Sequence, residues 1–211
     1  MKISDLQPTY SFCDPASGEQ SIRRVASRSA IVVAAPDSLG RIFVLHAWAA
    51  RVSAGDLMDR IYAVNDRYHP RAFGIESNGL QSLYKGAILR DATIRQRRLP
   101  LVGITQPTKT VKDNRIRHYL QPLFGFGKLF LRKDMVELQH EIVTFPMNPI
   151  KDLIDALASV CGMIPPAKPR RMADQGLEAE LEYLRRSGAP PSEISARSKG
   201  RPWQNSSLGH S

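Results

Sequence analysis

The sequence predicts an α/β domain: a mixed β-sheet flanked by helices on both faces, followed by a flexible C-terminal tail. Three observations carry that expectation. From residue 53 onward, short apolar runs of strand length alternate with segments of helical periodicity. A reversing loop between two apolar runs precedes this alternation, so the sheet has an antiparallel part. The second of those runs, residues 41–48, is apolar on both faces, which calls for cover on each side of the sheet.

Taken in order, Tyr10-Ser11-Phe12-Cys13 reads as a short strand ending at Asp14, followed by a turn-prone Pro15-Ala16-Ser17-Gly18. Residues 19–28 are polar and basic and read as an exposed connection. Residues 30–35 and 41–48 form a hairpin around Pro36-Asp37-Ser38-Leu39-Gly40. Ser53 is a good N-cap for a helix with Leu57, Ile61, Val64 and Tyr68 on one stripe. A strand at 71–75 ends at Glu76, and a helix over 79–91 buries Leu80, Leu83, Ala87 and Ile88. A strand follows at 99–104, with Pro100 near its start where the missing N–H is tolerated. A helix over 113–123, a short strand at 128–131 and a helix over 134–144 come next. The last helix is expected from about Pro149, a residue suited to a first turn, to Cys161. Residues 1–162 are read as the folded domain. Residues 163–211 are read as a Pro-, Arg- and Ser-containing tail, largely disordered, with a possible short helix at 177–186.

The chain has 30 basic and 20 acidic residues, a net charge of +10. Residues 1–162 hold 22 of the basic and 15 of the acidic side chains, so most of the excess belongs to the folded part. A polyanionic partner is expected, and nucleic acid is the commonest. Cys13 and Cys161 are isolated, without disulfide or zinc spacing, which suits a reducing compartment. No apolar run is long enough to span a membrane, and the N-terminus lacks a signal-peptide core. A cytoplasmic location is expected, with no membrane partner. The five histidines show no ligand spacing, and Gly125-Phe126-Gly127-Lys128 reads as a tight turn into a strand rather than a phosphate loop.

The residues that carry chemistry are acidic. Asp14 and Glu76 each end an apolar strand, and Asp152 opens a helical pattern in which Asp155 follows one turn later on the same face. Carboxylates meeting in one cleft repel unless a cation neutralises them, which points to a hard divalent metal. Two such ions held by carboxylates from several elements can activate water and absorb charge on a leaving oxygen, the requirement of phosphodiester hydrolysis. Taken singly, each acid reads better as a capping or solvated residue; their joint order favours the metal site.

Asp14-Pro15-Ala16, Phe73-Gly74-Ile75-Glu76-Ser77-Asn78-Gly79, Lys112-Asp113-Asn114-Arg115-Ile116, and Phe145-Pro146 before Asp152-Leu153-Ile154-Asp155-Ala156-Leu157 resemble, in order and spacing, the C-terminal nuclease domain of tailed-phage terminase large subunits. The resemblance covers roughly residues 9–162. It implies an RNase H-like fold and a divalent-metal-dependent endonuclease that cuts concatemeric viral DNA during genome packaging. Asp14, Glu76 and Asp152 match the family's metal-binding catalytic acids, with Asp155 as an auxiliary ligand. The implied cofactors are Mg2+ or Mn2+, two ions. Lys112 and Arg115 match the basic motif beside the active site, and Lys109 and Arg117 extend it as DNA-binding candidates. The implied partners are double-stranded DNA, a terminase ATPase motor domain or subunit, the small terminase subunit and the portal. No GxxxxGK[ST] occurs in this sequence, so ATP hydrolysis is expected elsewhere than in this chain.

Two departures from the family pattern matter. It often has paired acids where this chain reads Lys151-Asp152, and Lys151 is expected to compete with a metal for the remaining carboxylates. It also often has an acid shortly before the second strand, where this chain reads Ser27-Arg28-Ser29. These leave one alternative, a catalytically impaired terminase-like DNA-binding or assembly module; a junction-resolvase or transposase-like nuclease on the same fold is a separate one. A second basic cluster, Arg90, Arg95, Arg97 and Arg98, reads equally as phosphate contacts or as a solvated face.

Overall fold

A computed structural model describes residues 8–16, 28–76, 81–105, 112–166 and 180–198. The chain divides into two compact units, Met1–Ala167 and Lys168–Ser211.

The first unit is built on a six-stranded mixed sheet. Its strands are β1 (Tyr10–Asp14), β2 (Ser29–Pro36), β3 (Ile42–Ala50), β4 (Ala72–Glu76), β5 (Leu101–Ile104) and β6 (Leu129–Phe130). They lie in the order β5-β4-β1-β2-β3-β6. β1, β2 and β3 form an antiparallel meander; β4 runs parallel to β1, β5 to β4, and β6 to β3. The helices are α1 (Ala54–Tyr68), α2 (Gln81–Ile94), α3 (Lys112–Gly125), α4 (Val136–Thr144) and α5 (Asp152–Met163).

Strand alternation divides the core into two layers, as the doubly apolar third strand requires. Phe12, Ala30, Val32, Ala34, Ile42 and Val44 pack with Ile116 and Leu120 of α3, Leu138 of α4 and Leu153 to Cys161 of α5. The opposite face, through Cys13, Ile31, Val33, Phe73 and Ile75, packs with Leu57, Ile61 and Val64 of α1 and Ile88 of α2. Both cysteines are free and buried, in keeping with structural roles. Trp48 packs at the edge of the second layer, with the Arg60 guanidinium 4.9 Å from its ring centre.

α5 is the spine of the first layer. Every residue from Leu153 to Cys161 is buried, so this helix is enclosed on all sides rather than amphipathic. It lies close enough over β4 that a glycine is required there. A Cβ on Gly74 would sit 2.4 Å from the Met163 sulfur and 2.8 Å from the Phe12 ring. Phe12 is only 1 % exposed and has nowhere to move. Gly74→Ala is therefore expected to cost about 2 kcal/mol by overpacking, read as a lowered urea midpoint with an unchanged m-value.

Several element boundaries differ from the sequence reading. α2 runs to Ile94 rather than stopping near 91, and Leu80 and Leu83 lie outside what is described. α4 begins at Val136, two residues later than expected. α5 begins at Asp152, not Pro149, because the Asn148 side chain accepts a hydrogen bond from the Ile150 N–H and holds 148–150 in a local turn. Ser53 caps α1 as expected, accepting from the Asp56 N–H at 3.2 Å. In the second unit, residues 180–186 are helical, and so is Pro191–Ser198, where the sequence reading placed no element. That helix uses Pro191 at its first position, where the ring costs no hydrogen bond.

Candidate active site

Asp14 and Glu76 are brought together by strand register. β1 and β4 are parallel neighbours with Cys13 beside Ile75, so the next residues along, Asp14 and Glu76, lie side by side where the two strands end. Alternation turns both toward the α5 face, since Cys13 and Ile75 belong to the opposite layer. On top of burial, Glu76 pushes the Asp14 carboxyl up by like-charge repulsion, so the pair resists carrying two negative charges without a cation.

The α5 acids close over this pair, each toward a different neighbour. Asp155, 3 % exposed, is one turn into the helix and meets α3: Lys112 Nζ lies 2.9 Å from its Oδ2 and Arg115 Nη2 2.5 Å from its Oδ1. Asp152, at the helix start, meets Arg28, whose Nε donates to its Oδ2 at 3.2 Å. The same guanidinium donates to Glu141 Oε1 at 2.9 Å and pairs with Glu137, both on α4. Glu141 is 2 % exposed, and its other oxygen accepts the Ile154 N–H at 2.9 Å. Lys151, the N-cap of α5, offers no side-chain cap of its own, so Glu141 caps the helix from α4.

Electrostatics mark this end of the sheet as short of positive charge. Burial pushes the Asp14 carboxyl up to about 8; Lys112 opposes the rise, and Asp155, Glu76 and Asp152 add to it. Glu76 is raised by burial and then by Asp155, against the pull of Arg115. Burial works to lower the Lys112 ammonium, but Asp155 and Asp14 overcome it and hold it above its ordinary value. Arg115 Nε is buried with no hydrogen-bond partner. Including Glu137 and Glu141, six carboxyls here face the three cations Lys112, Arg115 and Arg28.

The donor set is all carboxylate oxygen, which a hard divalent cation prefers. As the side chains stand, no three His, Cys, Asp or Glu among the described residues are arranged to hold one metal ion. The acids instead lean on Lys112, Arg115 and Arg28. A pair of carboxyls that repel one another nevertheless fits a dication, which would discharge the repulsion. The residues present fit such an ion.

Two features of the sequence reading change. Lys151 does not reach the acids. Its ammonium bonds both oxygens of Asp113, at 2.8 and 3.0 Å, and lies 5.5 Å from the Phe145 ring centre. The cation at Asp152 is Arg28, which the sequence reading left in an exposed connection. Glu141 was missed too, although its place three residues after the buried Leu138 sets an acid on the apolar stripe of α4. Of the basic candidates, Lys112 and Arg115 join the acids. Arg117 lies on another side of α3, its guanidinium 5.6 Å from the Phe145 ring centre. Lys109 falls outside the described residues. Arg95 pairs with Asp59 and Asp91, at 2.8 and 2.7 Å, and Arg97 with Asp66, so these two cations tie the end of α2 to α1. No helix among the described residues is long and apolar enough to cross a membrane.

The chain matches no family model and no curated protein in sequence. Solved structures do resemble it. The large terminase nuclease of thermophilic phage G20c, with bound zinc, superposes with a TM-score of 0.52 at 14% identity, covering 77% of this chain and 84% of that one. The P22 large terminase nuclease domain gives 0.53 at 12% identity, covering 75% and 81%. Thermus thermophilus RuvC in complex with a Holliday junction substrate gives 0.43 at 14% identity, covering 72% and 90%. The fold is the RNase H-like α/β fold of the phage terminase nucleases.

Proposed function

We propose that this chain is a divalent-metal-dependent DNA endonuclease that cuts concatemeric double-stranded DNA in phage genome packaging. The observation that carries the reading is the apposition of Asp14 and Glu76 by the β1–β4 register beneath the acids of α5. The RNase H-like fold shared with the G20c and P22 terminase nucleases supports it, as does the zinc bound to the G20c enzyme. Charge supports the substrate: the excess of basic residues lies in the folded part of the chain.

Asp14, Glu76 and the α5 acids would hold the metal. When bound, a divalent cation supplies activation of water and stabilisation of the leaving oxygen. The protein's own share is positioning. Glu141 and Arg28 fix the start of α5, and the enclosed helix holds its carboxyls against the strand ends. Lys112 and Arg115, which pair with Asp155 beside these acids, would bind the scissile phosphate without reading sequence. In the same reading Mg2+ or Mn2+ is the physiological ion. An ATPase motor domain or subunit, the small terminase subunit and the portal are the assembly partners.

The test is cleavage of supercoiled plasmid in Mn2+, with and without chelator, by wild type and Asp14→Ala. We expect chelator-sensitive nicking by the wild type and at least a hundredfold loss in the variant. Equal nicking by both would remove this site from consideration. The Arg28–Asp152 pair favours a second reading, a DNA-binding or assembly module that keeps the fold without cutting. Salt-sensitive DNA binding with no nicking in any divalent metal would establish it instead.

A further inference from the structure

Between α3, α4 and the start of α5 the first unit leaves an apolar cavity of about 430 Å³, open to solvent. Its floor is Ile116 and Leu120 of α3 and Ile154 of α5, each no more than 2 % exposed. Phe124, Ile142, Phe145 and Pro146 complete the apolar lining, and Arg117 and Gln121 supply its polar side chains. Such a volume accepts a large side chain with room to spare. Apolar side chains around it also stand in water: Phe124 is 44 % exposed, and Val143 and Met147, next in sequence to Ile142 and Pro146, are 83 % and 88 % exposed. Apolar surface left in water beside a cavity marks a contact site for another protein. The charge at its mouth is unbalanced. Arg117 is the one charged lining residue, its guanidinium 5.6 Å from the Phe145 ring centre. Lys151 flanks the same ring at 5.5 Å but is matched by Asp113. No carboxylate among the described residues pairs with Arg117.

We propose that this cavity docks an acidic peptide segment of a protein partner. One large apolar side chain of that segment, Leu or Phe in kind, settles on the floor formed by Ile116, Leu120 and Ile154, and a neighbouring carboxylate meets Arg117. The chemistry of the lining selects this occupant. An aliphatic floor gains by excluding water from an apolar side chain and offers nothing to the polar edges of a nucleobase. A phosphate could pair with Arg117 but would leave the cavity unfilled. A ligand that joins an apolar group to a carboxylate satisfies both. The exposed Phe124, Val143 and Met147 extend the apolar contact past the cavity, where a peptide reaches and a small acid does not. The docking site stands independently of the nuclease reading, although it shares two helices with the acids: Ile116 follows Arg115 and Ile154 precedes Asp155.

Methyl NMR of the intact chain, labelled at isoleucine and leucine, tests it against a panel of short peptides, each placing a Phe or Leu between glutamates. Members of the panel should shift the methyls of Ile116, Leu120 and Ile154 with a Kd tighter than about 1 mM. Replacing the peptide's Phe or Leu by Ala should weaken binding about tenfold. Arg117→Glu, checked for folding by circular dichroism, should weaken the glutamate peptides about fivefold and prefer counterparts flanked by lysine. Should that variant misfold, Phe124→Ser at the exposed rim should weaken every member of the panel. No shift of these methyls by any peptide, or equal binding of glutamate- and lysine-flanked peptides by the wild type, would overturn the proposal. So would a single-stranded oligonucleotide that moves the same methyls more strongly than the peptides do. A dimer of this chain that buries them with no peptide present would likewise overturn it.

Discussion

Asp14→Asn is expected to make the metal-free protein more heat-stable at pH 8 while removing its cleavage activity. Burial and three neighbouring acids raise the Asp14 carboxyl from 3.8 to about 8. The native state therefore holds a proton on Asp14 over a range where the unfolded chain has released it. Fewer protons bound in the unfolded state means that stability falls as pH rises, from near 4 until about 8, and then levels off. The full shift at ~1.4 kcal/mol per unit is an upper bound, because Asp14 is only partly buried by its own surface; roughly 2 kcal/mol is the expected effect. An amide never ionises, so the variant loses this penalty. Melting curves in chelator should show the wild type declining between pH 5 and 8, and the variant melting about 6 °C higher than wild type at pH 8. Saturating Mn2+ should reverse the order, since only the wild type gains binding energy. Parallel pH profiles for the two proteins would mean that Asp14 carries its charge without strain and that the site is not short of a cation.

The second large effect concerns Glu141, which no catalytic argument would select. Its carboxylate caps α5 through the Ile154 N–H and holds Arg28 in place, and it is all but inaccessible to solvent. Burial pushes its carboxyl up, while the Ile154 N–H and Arg28 pull against that rise. Glu141→Ala leaves an enclosed guanidinium with one carboxylate fewer and a helix start with no acceptor for its amides. Breaking a buried pair of this kind costs about 3–5 kcal/mol, so a fall in Tm of about 10 °C is expected. Glu141→Gln keeps an acceptor for the Ile154 N–H and loses only the charge, so it should fall about half as far. Equal losses in the two variants would show that the charge, rather than the cap, is what matters.

The comparison of sequence with structure is instructive where the two part. Strands and their ends were legible because apolar runs of four to eight residues stop at residues no core would accept, Asp14 and Glu76 among them. Register was not. Nothing local says that β1 lies beside β4 with Cys13 at the level of Ile75, and that pairing makes two scattered acids into a pair. Lys151 was misread for a related reason. Its position next to Asp152 in sequence suggested competition at the site, yet adjacent residues on a helix start point in different directions, and Lys151 finds Asp113 on α3. Arg28 was hidden by its context: three arginines in a polar stretch, Arg23, Arg24 and Arg28, look alike until the fold selects one. Glu141 alone left a local trace, an acid on the buried stripe of its helix.

The enclosure of α5 bears on how this protein could change over evolutionary time. Nine consecutive buried residues leave the helix no tolerant face, so Asp155 cannot move by one position without ejecting a core side chain. A lineage carrying this architecture cannot explore new placements of its carboxyls by small steps. Its freedom lies instead on the exposed side of α3, at Asn114, Arg117, His118 and Gln121, on the helix that carries Lys112 and Arg115 to the same centre. New substrate preferences would be expected to arise there, with α5 inherited almost as a fixed part.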